Sequence, residues 1–456
     1  MNGSRACLDV CSRRLYCLRL TALICFLSSG CGFPHDESEN IWEQYGPRPG
    51  NFDKPSAIPF LKTAWARQEE WPGWRGPRGD GTSLEAGIPT RWNTRESVVW
   101  RAAIPGKGHS SPIVWKDQVF LTTCLEAEEK RTLLCLSRSD GKFLWEREVL
   151  HAPLEQKHEL NSFASSTPVT DGRHVWVTFL DVSHMRVACF DFAGNLVWDR
   201  SPGEFYSKHG FCSSPVLYRD MVIVNGDQDA AAWIVALDKE TGAERWRADR
   251  PNRTRSYCTP LVIEAGGRTQ LVLSGSKCVA SYDPDTGKQI WIVDGPTEQF
   301  VSSLVYGDGV LFMTAGFPTY HLMGILPTGT GEVTHSHVLW HDTKCADYVP
   351  SPIAFDKYFY FVNDNGIAGC VVAKTGQRLW TERLGKHHSA SPVSAGGCLY
   401  FPDDSGTTYV LRAGPKFEIV SKNRLEDECY ASPAIAHGLL FIRTLHSVWC
   451  IGDKRP

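Results

Sequence analysis

The stretch Val235-Ala236-Leu237-Asp238-Lys239-Glu240-Thr241-Gly242-Ala243-Glu244-Arg245-Trp246 runs from an apolar strand through a turn into a polar strand that ends on a tryptophan. Gly242 stands where such a turn needs a positive φ. The pattern recurs as Asp140-Gly141-Lys142-Phe143-Leu144-Trp145, Ala193-Gly194-Asn195-Leu196-Val197-Trp198, Thr286-Gly287-Lys288-Gln289-Ile290-Trp291 and Thr375-Gly376-Gln377-Arg378-Leu379-Trp380. An opening signal recurs with it: Ser111-Pro112, Thr167-Pro168, Ser214-Pro215, Thr259-Pro260, Ser303-Leu304, Ser351-Pro352, Ser391-Pro392 and Ser432-Pro433. The second residues of these pairs are 56, 47, 45, 44, 48, 40 and 41 positions apart. Self-similarity at that period means stacked supersecondary units, and four short strands per unit mean propeller blades. The fold class is all-β, an eight-bladed β-propeller of four-stranded antiparallel blades.

Blade three shows the unit plainly. Its strands are expected at Ser214–Leu217, Met221–Asn225, Trp233–Asp238 and Glu244–Ala248, from the innermost outward. The eighth repeat has Ser432–Ala436, Leu439–Arg443 and Ser447–Ile451 but no outer strand. Glu96-Ser97-Val98-Val99-Trp100-Arg101, ahead of the first anchor, has the outer-strand pattern, so it is predicted to pair with Ser447–Ile451 and close the ring. Trp100, Trp145, Trp198, Trp246, Trp291 and Trp380 are predicted to fill equivalent sites between blades. Blade five carries an enlarged turn, Pro327 to Thr334, before Trp340, and blade seven has Phe417 and Ile419 in place of the tryptophan.

Three regions follow from the chain's organisation. Residues 1–31 have a basic start (Arg5, Arg13, Arg14, Arg19), a short apolar core (Leu20 to Leu27) and Ser28-Ser29-Gly30-Cys31. The core is too short to span a bilayer, so the region reads as a signal peptide whose lipobox-like end marks Cys31 for lipidation. Plain secretion with cleavage near Gly30 is the alternative, and Ser12-Arg13-Arg14-Leu15-Tyr16 also resembles a twin-arginine signal. Residues 32–70, with Pro34, Pro47, Pro49, Pro55 and Pro59, read as a flexible tether, and residues 71–456 as the propeller. The expected location is a periplasmic or cell-surface face of a bacterial membrane, reached by the lipid anchor alone. Net charge of −3 gives no electrostatic footprint for nucleic acid. Eleven cysteines follow Cys31, an odd number for a disulfide framework, and Cys135, Cys189, Cys278, Cys370 and Cys450 recur near one strand position, as small buried hydrophobes would.

Strands alternate in direction, so the loops entering the inner strands share a face with the loops between second and third strands. That mouth gathers His109, Lys208, His209, Arg255, Tyr257, Asp347, Tyr348, His387, His388 and Tyr430, which form the candidate ligand or partner surface. Capping and hydrating the channel is their alternative role. The Asn-Asp-Gly loops at 225–229, 363–366 and 403–405 lie on the same face. They suit turns, and their oxygens also suit a hard cation.

The Ser-Pro openings and segments such as the one ending at Trp246 resemble the PQQ-like (quinoprotein-type) β-propeller repeat family, over about residues 71–456. That family includes quinone-dependent alcohol and sugar dehydrogenases and the eight-bladed lipoprotein of the bacterial outer-membrane protein assembly machinery. Trp71-Pro72-Gly73-Trp74-Arg75-Gly76-Pro77 and Pro105 to Pro112 are similar to exported members from planctomycete-type bacteria. The resemblance implies either a scaffold or a PQQ- and calcium-dependent dehydrogenase oxidising an alcohol or sugar. The chain has no Cys-Cys dipeptide of the kind the alcohol dehydrogenases carry over the quinone, and no Ser/His/Asp set emerges from spacing. The favoured reading is a non-catalytic, monomeric ring without cofactor or metal that binds an envelope protein, or a small-molecule or carbohydrate ligand, at its mouth. The extra segment Trp71 to Thr94 sets it apart from the assembly lipoprotein.

Overall fold

The computed structural model describes residues 69–344 and 348–452. Cys31, the leader and nearly all of the tether lie outside them, as does Asp347. Eight antiparallel sheets form the blades of a propeller. Blade three comprises Val216–Tyr218, Met221–Gly226, Trp233–Asp238 and Glu244–Asp249. Its inner strand starts two residues later than the sequence pattern predicts. Pro215 has no N–H to place in a ladder, and the N–H of Ser214 is bonded to the next blade instead.

Blade eight is built from both ends of the described chain. Val98–Ala103 pairs antiparallel with Ser447–Ile451, with Trp100 opposite Cys450 and Ala103 opposite Ser447. The closure removes the two strand edges that an open array would expose. In blade five the enlarged turn contributes Gly331–Glu332, which adds a parallel fifth strand to blade four, and a short helix, Thr334–His337. Among the described residues no helix is long and apolar enough to cross a membrane.

The tryptophans explain the turns. The indole N–H groups of Trp100, Trp145, Trp198, Trp246 and Trp340 donate to Arg138, Phe192, Lys239, Pro284 and Ala373, each a carbonyl of the following blade's outer turn. Each ring covers the turn glycine of that blade. A Cβ on Gly141 would come within 2.6 Å of Trp100. Two of the predicted six depart from the scheme. Trp291 meets the enlarged turn of blade five; its backbone pairs with Gly331 and its N–H donates to Gln270 Oε1 instead. Trp380 faces blade seven, where it packs on Phe417, 5.2 Å between centroids. Cys135, Cys189, Cys278, Cys370 and Cys450 are buried free thiols on third strands.

Ahead of the ring-closing strand, residues 71–83 run along the inner strands, and residues 90–92 reach the outer strand of blade seven, where the Trp92 N–H donates to Asn423 Oδ1 and the Thr90 carbonyl accepts from Asn423. Trp71 bridges to Val114, Pro72 accepts from Thr170, and Ser83 donates to the carbonyl of Ser394, whose own N–H donates to that of Gly81. Arg75 is buried and donates to the carbonyls of Ser351, Pro352 and Asp80. The segment therefore crosses the central channel from blade one to blades six and seven.

Candidate functional site: the inner-strand mouth

The anchor residues form a girdle around the mouth. The N–H of Ser111 donates to the hydroxyl of Thr167, and the relation repeats from Thr167 to Ser214, Ser214 to Thr259, Thr259 to Ser303, Ser303 to Ser351, Ser351 to Ser391 and Ser391 to Ser432, at 2.8 to 3.1 Å. A side chain with a short hydroxyl is needed at each anchor because the N–H faces the neighbouring blade, not its own sheet. Above the girdle opens a cavity of about 350 Å³, and Trp74 of the channel-crossing segment reaches its lining from below.

Six of the predicted mouth residues line this cavity: His109, His209, Tyr257, Tyr348, His387 and Tyr430. They arrive from loops far apart in sequence and pair as aromatic walls. His109 lies against Tyr430 at 4.8 Å and His209 stacks on Tyr257 at 6.1 Å. Tyr348 is fixed by a bond to Gln299 Oε1. Arg255 does not line the cavity; its guanidinium is committed to Asp229 at 2.7 Å. Lys208 is exposed and does not line the cavity. His388 is no part of the mouth surface. It is fully buried, with its ring nitrogens 2.7 Å from the Pro402 carbonyl and 2.6 Å from that of Leu384, so it ties a loop to its blade. Adjacent residues in an extended segment point opposite ways, which is why His387 faces out and His388 in.

Sequence reasoning missed Trp74, His158 and the hydroxyl girdle, whereas Asp364 lies in a loop it placed on this face. The girdle was present as the recurrent Ser/Thr of the anchors. Trp74 carried no periodic signal, since a segment threading a channel belongs to no blade.

Burial sets the chemistry. It pushes His109 down to about 3, helped by the charges of Arg443 and Lys157. It pushes His209 down to about 4, with Arg255 and Lys208 adding to the effect. Both rings are neutral near pH 7. Burial also raises Tyr348 and Tyr430 to about 12, so both keep their protons. His387 Nδ1 lies 2.5 Å from Asp404 Oδ2, while Ser389 donates its hydroxyl to the same carboxylate at 3.0 Å. The serine is thus bonded to the acid and not to the imidazole, which is not the nucleophile–base arrangement of acyl transfer.

Among the described residues lining the cavity there is no lysine or arginine, and one carboxylate, Asp364. A polycarboxylated quinone does not fit that donor set, because no lysine or arginine of the lining would meet its carboxylates directly. The acidic loops are likewise occupied. Asp227 is fully buried against Arg250 and also accepts from Ser256. Asn363 and Asp403 take up the backbone N–H groups of their own turns.

The family model for outer membrane protein assembly factor BamB matches residues 155–382. Among curated relatives, the assembly factor BamB of Burkholderia pseudomallei is 31% identical over 102 residues, 22% of this chain and 26% of that protein. The BamB of Shewanella oneidensis is 21% identical over 234 residues, 49% of this chain and 56% of its own. These matches thus span from about a quarter to just over half of the relatives' length. In solved structures, BamB from Moraxella catarrhalis superposes with a TM-score of 0.54 at 14% identity, covering 79% of this chain and 98% of that one. A quinohemoprotein alcohol dehydrogenase from Comamonas testosteroni superposes with a TM-score of 0.61 at 11% identity, covering 88% and 83%. At such identities these two show a shared fold alone.

Proposed function

This chain belongs to the propeller family of outer membrane protein assembly factor BamB, and from that premise we propose that it is an exported, non-catalytic scaffold that captures a segment of an envelope protein at its inner-strand mouth. The observation that carries the reading is the cavity itself. It is open, walled by His109, Tyr430, His209 and Tyr257, uncharged over most of its lining, and its Ser389 hydroxyl is given to Asp404 and not to the His387 imidazole. Aromatic side chains at a mouth supply contact area with hydrogen-bonding tips, the composition of binding hot spots. Exposed Leu160 lines the cavity itself, and exposed Tyr206, Phe317 and Tyr320 on loops of the same face extend the apolar surface beyond it. The names of the relatives, factors in assembling outer membrane proteins, support a protein partner over a sugar or small molecule.

On this reading residues 1–30 are removed and Cys31 carries lipid that holds a monomeric ring at a membrane face through the tether. Changing Cys31 to Ala should release a soluble, folded product; membrane partitioning unaltered by the change would overturn the anchor. The capture surface is tested with Tyr430→Ala and Trp74→Ala in an extract of exported proteins. Partner recovery should fall at least tenfold while the melting temperature of Tyr430→Ala stays within a few degrees. Undiminished recovery places binding elsewhere. Dye-linked alcohol oxidation after incubation with PQQ and calcium would replace the scaffold reading with the dehydrogenase one.

A further inference from the structure

On the face opposite the cavity, blades two and three meet at three side chains that the mouth does not use. Asp171 lies in the turn before the second strand of blade two and is held there by the N–H groups of Arg173 and His174, at 2.9 and 3.0 Å. His174 opens that strand (His174–Asp181), is 9% exposed and stands edge-on to Trp176. Glu240 comes from the outer turn of blade three. That turn is pinned, because the Lys239 carbonyl accepts the indole N–H of both Trp176 and Trp198, at 3.2 and 2.9 Å.

His174 Nδ1 is buried without a hydrogen-bond partner. It faces Glu240 Oε2 at 3.8 Å, too far for a hydrogen bond. The distance suits a shared ion, since two ligands each about 2.0–2.2 Å from one metal lie within about 4.4 Å of each other. One ligand atom from each of Asp171, His174 and Glu240 lies within 4.8 Å of the others, and because ligands on a tetrahedral zinc with bonds of about 2.1 Å stand about 3.4 Å apart, side-chain shifts of up to about 1.4 Å would close the set. We propose that Asp171, His174 and Glu240 form a divalent-metal site of the zinc class that clips blade two to blade three.

The donor set is one imidazole nitrogen and two carboxylates, whose charges balance a divalent ion, with a fourth position open to water. The competitor is Lys239, whose ammonium holds Asp171 Oδ2 at 2.8 Å. It is partly exposed and can release to water when the metal enters. Arg173, 3.8 Å from Glu240, is largely solvated and makes the weaker opposition. Hard magnesium is disfavoured, because a buried imidazole is a poor partner for it.

The test uses the full chain, stripped with chelator and dialysed, then titrated with zinc chloride by calorimetry and melted with and without zinc or magnesium. One equivalent of zinc should bind and raise the melting temperature, with magnesium ineffective. Glu240→Gln, at an exposed position that leaves the fold intact, should weaken zinc at least tenfold, as should His174→Gln. Lys239→Ala should tighten zinc several-fold, an effect a purely structural ion-pair network would not produce. Zinc binding equal in wild type, Glu240→Gln and His174→Gln overturns the site, as does a wild type that takes up no stoichiometric zinc.

Discussion

The indole of Trp198 lies directly on Gly242 of the next blade: a Cβ there would come within 2.7 Å of the ring, and the same indole donates to Lys239 at 2.9 Å. The turn glycine therefore serves two demands at once, a φ of 70° and an approach that no side chain permits. Gly331 offers the control, since its φ is 75° but nothing lies within 4 Å of an added Cβ. Gly331→Ala should cost about 1 kcal/mol from backbone strain alone. Gly242→Ala should cost about 2–4 kcal/mol, because Trp198 must also shift. Denaturant unfolding of the two variants separates the contributions; equal losses would mean that the indole contact carries no energy.

Much of this device is readable in the residues. Trp145, Trp198 and Trp246 follow their turns at one spacing, and the packing of each on its neighbour's glycine repeats because the blades repeat. Trp291 escapes the rule for a reason the spacing already hints at: the next blade's turn is enlarged, and its Gly331 pairs with Trp291 through the backbone instead. The channel-crossing segment was illegible as structure. Arg75 and Trp74 have no periodic partner, and what they meet, the carbonyls of Ser351 and Pro352 and the cavity, is assembled only by ring closure. His388 was misplaced because a polar residue in a mouth loop looks like a surface group until the alternation of the chain turns it inward.

The hydroxyl girdle predicts a specific penalty. Ser351 Oγ accepts the N–H of Ser303 at 2.9 Å, and both residues are buried. Ser351→Ala leaves that N–H without an acceptor and should lower stability by about 1–3 kcal/mol, whereas Ser351→Thr retains the hydroxyl and should lose less. Thermal melts of the pair check this. Equal loss in both would point to packing in place of the bond.

Arg75 should behave as a bolt for the channel-crossing segment. Its guanidinium satisfies two carbonyls at the inner strands of blade six, at 3.1 and 2.6 Å. Arg75→Met retains the aliphatic stem but strands those carbonyls, with an expected loss of about 2–3 kcal/mol. Trp74 fluorescence should also shift to longer wavelength as the segment loosens. Stability loss with unchanged fluorescence would place the damage away from the segment.

The pair Asp227–Arg250 is fully buried, at 2.8 Å, and the arginine also bonds Tyr282 and the Gly275 carbonyl, so it fastens blade three to blade four. Breaking one side leaves a charge stranded. Arg250→Met should destabilise by about 3–5 kcal/mol, and adding Asp227→Asn should recover part of that loss. A double variant no better than the single one would assign the cost to the Tyr282 and Gly275 bonds, and not to the uncompensated carboxylate.

Stability should also fall on mild acidification, and the histidines of the mouth set the direction. Folded His109 and His209 titrate at about 3 and about 4, well below the ordinary histidine value near 6.5. Between those limits the unfolded chain binds protons that the folded chain refuses, so stability rises with pH across that window and is lost as pH falls through 6.5. Carboxylates paired in the fold, such as Asp171 and Asp427, are held below their usual range and weaken the protein only at lower pH. In the interval from about pH 6.5 to 5 the buried histidines, His321 among them, carry the loss, while Glu85 and Glu155, raised by burial, oppose it. His109→Gln should flatten the dependence of melting temperature on pH in that interval. It removes the ring that faces Tyr430 without adding a titrating group. A variant whose slope matches wild type would show that His109 is charged in the folded protein, and that the cavity wall is wetter than its burial implies.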